Sequence, residues 1–291
     1  MSDISRRNAI LGTGAVAFSS ILMGKAGFAQ PNQAGRVVTK GRLNQSVSRW
    51  PFEKIPFEDF CRSVAEMGLK GIDLLEMKDW QTVKQFGLVC SMGYVGAGTI
   101  PDGLNVKANH DSIVRGLEKG IPLAAKAGVP NVITFFGNRR RISDAEAVEN
   151  CVIGLNRVKR VAEDHGVTIC VELLNSKVDH KDYQGDRTSF GVQVAKAVDS
   201  PRVKLLYDIY HMQIMEGDII RTIDENHRWI GHYHTGGIPG RHEIDNSQEL
   251  NYSAVCSAIV ATGYRGFVAH EFIPTKDPLT SLREAARLCD V

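Results

Sequence analysis

The feature that most constrains this chain is an alternation of two periodicities. Short apolar, β-branched runs occur at 71–75, 88–91, 131–136, 168–171, 203–207, 229–233 and 266–269, with a less distinct one at 42–47. Helix-like stretches lie between them, at 57–67, 111–127, 144–165, 190–198, 218–226, 252–262 and 279–289. Strands separated by helices cannot pair as hairpins; they need crossover connections, which give a parallel sheet. Gly68, Gly128, Gly166 and Gly263 each follow a helical stretch and precede a strand, where a residue tolerant of positive φ ends a helix. Eight such units over about 250 residues point to a single α/β domain, a (β/α)8 barrel. The competing open doubly wound sheet would carry a G-x-G-x-x-G turn after its first strand, and none stands near 42–47. The glycines of 93–109 belong to a long loop that does not run straight into a helix, so they make a poor phosphate cradle.

Composition supports a folded chain of 291 residues, 43% hydrophobic and 23% charged. Its formal charge of +2 comes from the first 29 residues, where Arg6, Arg7 and Lys25 face only Asp3; beyond them stand 32 basic and 32 acidic residues. A neutral body lacks the surplus that nucleic-acid binding draws on. Residues 1–29 read as an address: Ser5-Arg6-Arg7, an uncharged run from Asn8 to Gly24, and a small-residue cleavage site at Gly27-Phe28-Ala29. This segment resembles a bacterial twin-arginine export signal, departing from it at Ala9, and the resemblance implies a periplasmic protein exported already folded. A membrane anchor is the alternative, but the run is barely long enough to span, and no later segment approaches about 18 apolar residues. Residues 30–41 form a polar lead of tether-like composition, and 42–291 the catalytic domain. The six cysteines fall in strand-like and helix-like runs without C-x-x-C spacing, the pattern of buried free thiols.

Barrel enzymes build their sites at the C-terminal ends of strands. Glu172, Asp208, His234 and Glu271 end four successive apolar runs, 36, 26 and 37 residues apart, each close to one strand plus one helix. Three carboxylates and an imidazole at one mouth repel unless a cation sits among them. The oxygen-rich set with one nitrogen favours six-coordinate Mn2+ or Mg2+ over tetrahedral Zn2+.

The stretch Tyr207-Asp-Ile-Tyr-His-Met-Gln-Ile-Met-Glu-Gly-Asp218, with Gly231-His-Tyr-His234, Pro239-Gly-Arg-His-Glu243, Leu250-Asn-Tyr252 and Gly263-Tyr-Arg-Gly-Phe267, resembles the hydroxypyruvate isomerases and their sugar isomerase and epimerase relatives, the xylose-isomerase-like TIM barrels. The likeness is dense from about residue 171 to 274; before that it rests on Gly68-Leu-Lys-Gly-Ile-Asp73 and the strand rhythm. It implies one divalent metal held by Glu172, Asp208, His234 and Glu271, the set that the strand ends give independently. It also implies proton transfer through an enediolate with Glu172 and Glu271 as acid and base, and substrate contacts from His211 and Arg241. Histidine at 234 departs from the glutamine expected of a hydroxypyruvate isomerase and matches the ketose 3-epimerase branch.

Other polar residues carry weaker signals. His232 shares a strand face with His234 one layer deeper, His270 points to the opposite face from Glu271, and Glu76 ends the second run with Lys78 as a natural partner. Arg139-Arg140-Arg141 follows the fourth run, and 175–188 is a long loop of lid-like position. The expected partner is a small hydroxy-carbonyl or sugar substrate, first hydroxypyruvate, second a free ketose; homo-oligomerisation is left open. A DNA-repair endonuclease would need more ligands and a basic groove, and a non-catalytic sugar-binding barrel would have no use for the acid/base pair.

Overall fold

In the computed structural model, which describes residues 35–291, all eight strands form and every pairing is parallel. They are β1 Asn44–Ser48, β2 Gly71–Asp73, β3 Val89–Cys90, β4 Asn131–Phe135, β5 Thr168–Leu173, β6 Val203–Asp208, β7 Ile230–Thr235 and β8 Phe267–His270. The ladder runs β3-β2-β1-β8-β7-β6-β5-β4. Gly93, just past the short β3, joins its two ends: it bridges to both Leu75 and Val132, donates its N–H to Asn131 O at 2.9 Å and accepts from Ile133 N at 3.2 Å. Only glycine fits there, because a Cβ would lie 2.6 Å from the Trp80 ring.

The helices are α1 Phe57–Met67, α2 Trp80–Gln85, α3 His110–Ala127, α4 Asp144–Asn156, α5 Lys159–His165, α6 Thr188–Val198, α7 Ile209–Met215, α8 Ile219–Asn226, α9 Tyr252–Ala261 and α10 Pro278–Leu288. The expected glycines do end α1, α3 and α5, at φ of 93°, 73° and 67°. Two helices are additions to the sequence reading. At six and seven residues, α2 and α7 span too few turns for a 3.6-residue pattern to show. The helix expected over 144–165 is instead two, broken where Val158 turns its side chain fully inward. Helix faces pack against the strands in one apolar core that includes Val64, Leu117, Val194, Ile259 and Leu282, and all six cysteines lie in it as free, buried thiols.

The described part of the lead is docked on the barrel rather than hanging as a tether. Val37 and Val38 donate backbone N–H bonds to Met67 O, and the Asp290 carboxylate accepts those of Thr39, Lys40 and Gly41 at 2.7–3.0 Å. Among the described residues no helix is long and apolar enough to cross a membrane. The segment resembling an export signal lies outside the described residues.

On the active face, Glu243 ties the loop after β7 to the one after β8, accepting from Thr275 N and Oγ1 at 2.8 Å and from Ser281 Oγ at 2.9 Å. Burial alone would raise its pKa; these donors hold the carboxyl down to about 2.

Gly93→Ala should cost about 1–3 kcal/mol in urea unfolding, because the new methyl group meets the Trp80 ring at the closing seam; an unchanged midpoint would contradict that role. Glu243 ionises more easily folded than unfolded, so its contribution is present above pH 4.5 and lost as pH falls toward 2. Stability of Glu243→Gln, measured at pH 7 and pH 3, should therefore fall less on acidification than that of the wild type.

Candidate metal centre

Four strands present the candidate ligands at one mouth. Glu172 is the penultimate residue of β5, Asp208 ends β6, His234 is penultimate in β7, and Glu271 directly follows β8. Asp208 and His234 are register partners, and His234 pairs with Ala269, two residues before Glu271 on the same face. All four are buried, and one donor atom from each lies within 4.8 Å of those of the others. His234 Nδ1 is 2.5 Å from Glu271 Oε2, 3.6 Å from Glu172 Oε1 and 3.8 Å from Asp208 Oδ2.

The orientation of His234 comes from a residue that sequence reasoning passed over. Asp73 ends β2, fully buried, and its Oδ2 lies 2.8 Å from His234 Nε2. Ser91 Oγ donates to Asp73 Oδ1 at 2.5 Å, and His232 Nε2 stands 3.1 Å from the same oxygen. With the Nε2 proton committed to Asp73, the lone pair of Nδ1 faces the three carboxylates and finds no hydrogen-bond donor. An imidazole turned by a carboxylate behind it, with its free nitrogen among acidic oxygens, is the donor set of a divalent cation. The residues present fit such an ion.

The electrostatics are those of a cation site. Burial would lower the pKa of His234, yet the charge of Glu271 and the nearby carboxylates of Asp208, Asp73 and Glu172 hold it well above the ordinary imidazole value, so a proton competes with a metal ion for Nδ1. Burial would raise Asp208, but the Arg241 guanidinium drives it well below the carboxylate range. Glu271 is lowered against its burial by Arg241 and His234. Glu172, farther from the guanidinium, goes the other way: burial, helped by Glu271 and Asp208, pushes it up to about 7.

Arg241 and His211, the two expected substrate contacts, border this cluster. Arg241 Nη2 donates to Asp208 Oδ2 at 2.7 Å and to Glu271 Oε2, while Nε donates to Glu271 O at 2.9 Å. His211 sits on the first turn of α7, where Asp208 Oδ1 caps its backbone N–H at 3.2 Å. Its ring is buried and kept neutral, with a pKa lowered to about 3 chiefly by desolvation. Trp50, on the segment after β1, donates Nε1–H to Glu271 Oε1 at 2.6 Å. These groups open onto a cavity of about 320 Å³ walled on its other side by Leu74, Tyr94, Ile100 and Phe135.

The remaining sequence candidates fall outside the cluster. His270 hydrogen-bonds Gln45 Oε1 at 2.9 Å and Thr235 Oγ1 at 3.2 Å, and Gln45 in turn donates to Ala286 O of α10, a structural place on the helix-facing side of the sheet. Arg139 pairs with Asp144 and Asp186, and Arg140 with Asp102, so neither reaches the cavity. Glu76 is exposed and makes no ion pair with Lys78. The lid-like loop does border the mouth through Asp179 and His180, and it is anchored by the buried Tyr183, whose hydroxyl donates to Glu172 O and accepts from Phe136 N, both at 2.8 Å.

A closed eight-stranded barrel with a carboxylate and histidine cluster at the C-terminal ends of β5–β8 defines a class. Residues 81–290 match the family described as xylose isomerase-like TIM barrel, and the chain belongs to it. It is 26% identical over 238 residues to a human protein named "Putative hydroxypyruvate isomerase", covering 80% of each chain. It is 24% identical over 234 residues to the 2-oxo-tetronate isomerase of Pectobacterium atrosepticum, covering 77% of this chain and 88% of that one. Among solved structures, an AP endonuclease, family 2, from Brucella melitensis superposes with a TM-score of 0.74 at 23% identity, over 82% of this chain and 97% of the other; at that identity it speaks for the fold alone.

Asp73→Ala leaves every candidate ligand in place but frees the His234 ring. Calorimetric titration of the metal-stripped protein with Mn2+ should show affinity reduced by about 10–100-fold; affinity equal to that of the wild type would remove Asp73 from the site.

Proposed function

We propose that this isomerase interconverts a small hydroxy-carbonyl compound by moving a proton between adjacent carbons, with hydroxypyruvate and tartronate semialdehyde as the leading pair. The convergence of Glu172, Asp208, His234 and Glu271 on one buried point carries the reading. The names of the curated relatives support the reaction class and the size of substrate.

A C–H beside a carbonyl is a weak acid. A divalent ion held by the four residues supplies the positive charge that stabilises negative charge developing on the substrate oxygens; the oxygen-rich donors favour Mn2+ or Mg2+. Glu172 and Glu271 are the acid/base pair, one removing the proton and the other, or the same one, returning it at the neighbouring carbon. His211 donates a hydrogen bond to a substrate oxygen. Arg241, among the described residues the one arginine bordering the cavity, meets a substrate carboxylate or hydroxyls. Residues 1–29 would direct the folded protein to the periplasm by the twin-arginine route.

Histidine at 234 supports a second reading, a ketose 3-epimerase using the same ligands. Assay of the Mn2+- and Mg2+-loaded protein on hydroxypyruvate and on free ketoses separates the two: turnover of ketoses alone would end the first choice. In either case Glu172→Gln and Glu271→Gln should each lower kcat by about 10²–10⁴-fold. Unchanged activity in both variants would leave the mechanism without its acid and base.

A further inference from the structure

Asn175, three residues beyond Glu172, is fully buried and has no part in the reaction as read so far. Its amide is pinned in one orientation. Oδ1 accepts from Val178 N and Asp179 N, each at 2.9 Å, and Nδ2 donates to Asp179 Oδ2 at 2.6 Å. Turning the amide over would set its NH2 against two backbone N–H groups and its oxygen against a carboxylate, losing three hydrogen bonds at once. In the pinned orientation the same Nδ2 also lies 2.6 Å from His211 Nδ1. A ring nitrogen facing an N–H donor at that distance must offer a lone pair, and a neutral imidazole has one proton to place.

We propose that Asn175 is a positioning residue that fixes His211 as its Nε2–H tautomer, leaving the one ring proton on the side of Arg241 and the candidate metal centre. Arg241 Nη1 stands 2.7 Å from Nε2, a second donor on that side. A ring with one proton cannot meet both donors with lone pairs, and Arg241 is the one a cation would move, because Asp208 and Glu271, which hold its guanidinium, are candidate ligands of that cation, whereas every other partner of the Asn175 amide lies in its own turn. The short loop 175–180 thereby has a task besides covering the mouth. It is a single backbone turn, closed by His180 N donating to Asn175 O at 3.1 Å, and it carries the fixed amide to the His211 ring. The catalytic consequence rests on the isomerase reading, in which His211 donates to a substrate oxygen; the tautomer itself does not.

The test is nitrogen NMR of protein labelled with 15N-histidine and loaded with Mg2+, the His211 signals being assigned by their absence in His211→Asn. In the wild type, Nδ1 should resonate as an unprotonated and Nε2 as a protonated ring nitrogen. The paired exchange Asn175→Asp with Asp179→Asn keeps one amide and one carboxylate in the turn but presents an acceptor to Nδ1. It should move the proton to Nδ1 and lower kcat by at least about tenfold while leaving Mn2+ affinity as it was. A wild-type ring protonated on Nδ1, or an exchange variant that keeps the wild-type tautomer, overturns the proposal. The wild-type spectrum decides the tautomer without any variant or substrate, so a protein that turned over no hydroxy-carbonyl compound would refute the isomerase reading and leave this result standing.

Discussion

Mutual repulsion of three carboxylates inside a low-dielectric barrel mouth is the constraint around which this structure is arranged. Glu172, Asp208 and Glu271 are buried and bring oxygen atoms within a few ångströms of one nitrogen of His234. Buried charge without compensation is costly. Each neighbour can be understood as a response to it: Arg241 spans Asp208 and Glu271, Trp50 donates to Glu271, and Asp73 turns the His234 ring so that a lone pair joins the cluster. A group of this kind stabilises nothing by itself. On the function proposed above its justification is chemical, a place to hold a cation and a substrate with labile protons together.

The barrel makes the arrangement affordable by separating stability from function. The apolar contacts lie between strands and helices, and the ends of β5–β8 are left to polar residues. The active-face loops are then fastened individually. Glu243 locks two of them together, Tyr183 ties the loop after β5 to the backbone of β5 and to the residue after β4, and Asn175 builds a turn within that loop. Rigid loops on a rigid frame keep donors and acceptors at the fixed spacing that proton transfer requires.

Much of this was legible in the sequence, and the exceptions have physical causes. Glu172, Asp208, His234 and Glu271 could be found because each terminates an apolar run, and in a parallel barrel strand ends converge. Asp73 obeys the same rule but was hidden. The apolar run continues through Leu74 and Leu75, while the chain leaves the strand at Leu74 through a left-handed φ of 54° without a glycine to announce it. Trp50 follows the least regular run, so its place at the mouth carried no signal. The helices α2 and α7 are shorter than the pattern that reveals a helix. The roles of Arg241 as a bridge and Asn175 as a fixed amide depend on side chains 30–36 residues away in the chain, and only folding supplies those partners.

The central claim is that the four strand-end residues share one divalent ion. Crystals grown with Mn2+ and measured at the manganese absorption edge test it most directly. The account requires a single strong anomalous peak per chain within bonding distance of Glu172, Asp208, His234 Nδ1 and Glu271. A map with no peak there, or with manganese bound elsewhere and the Arg241 guanidinium still lodged among these carboxylates, would contradict it.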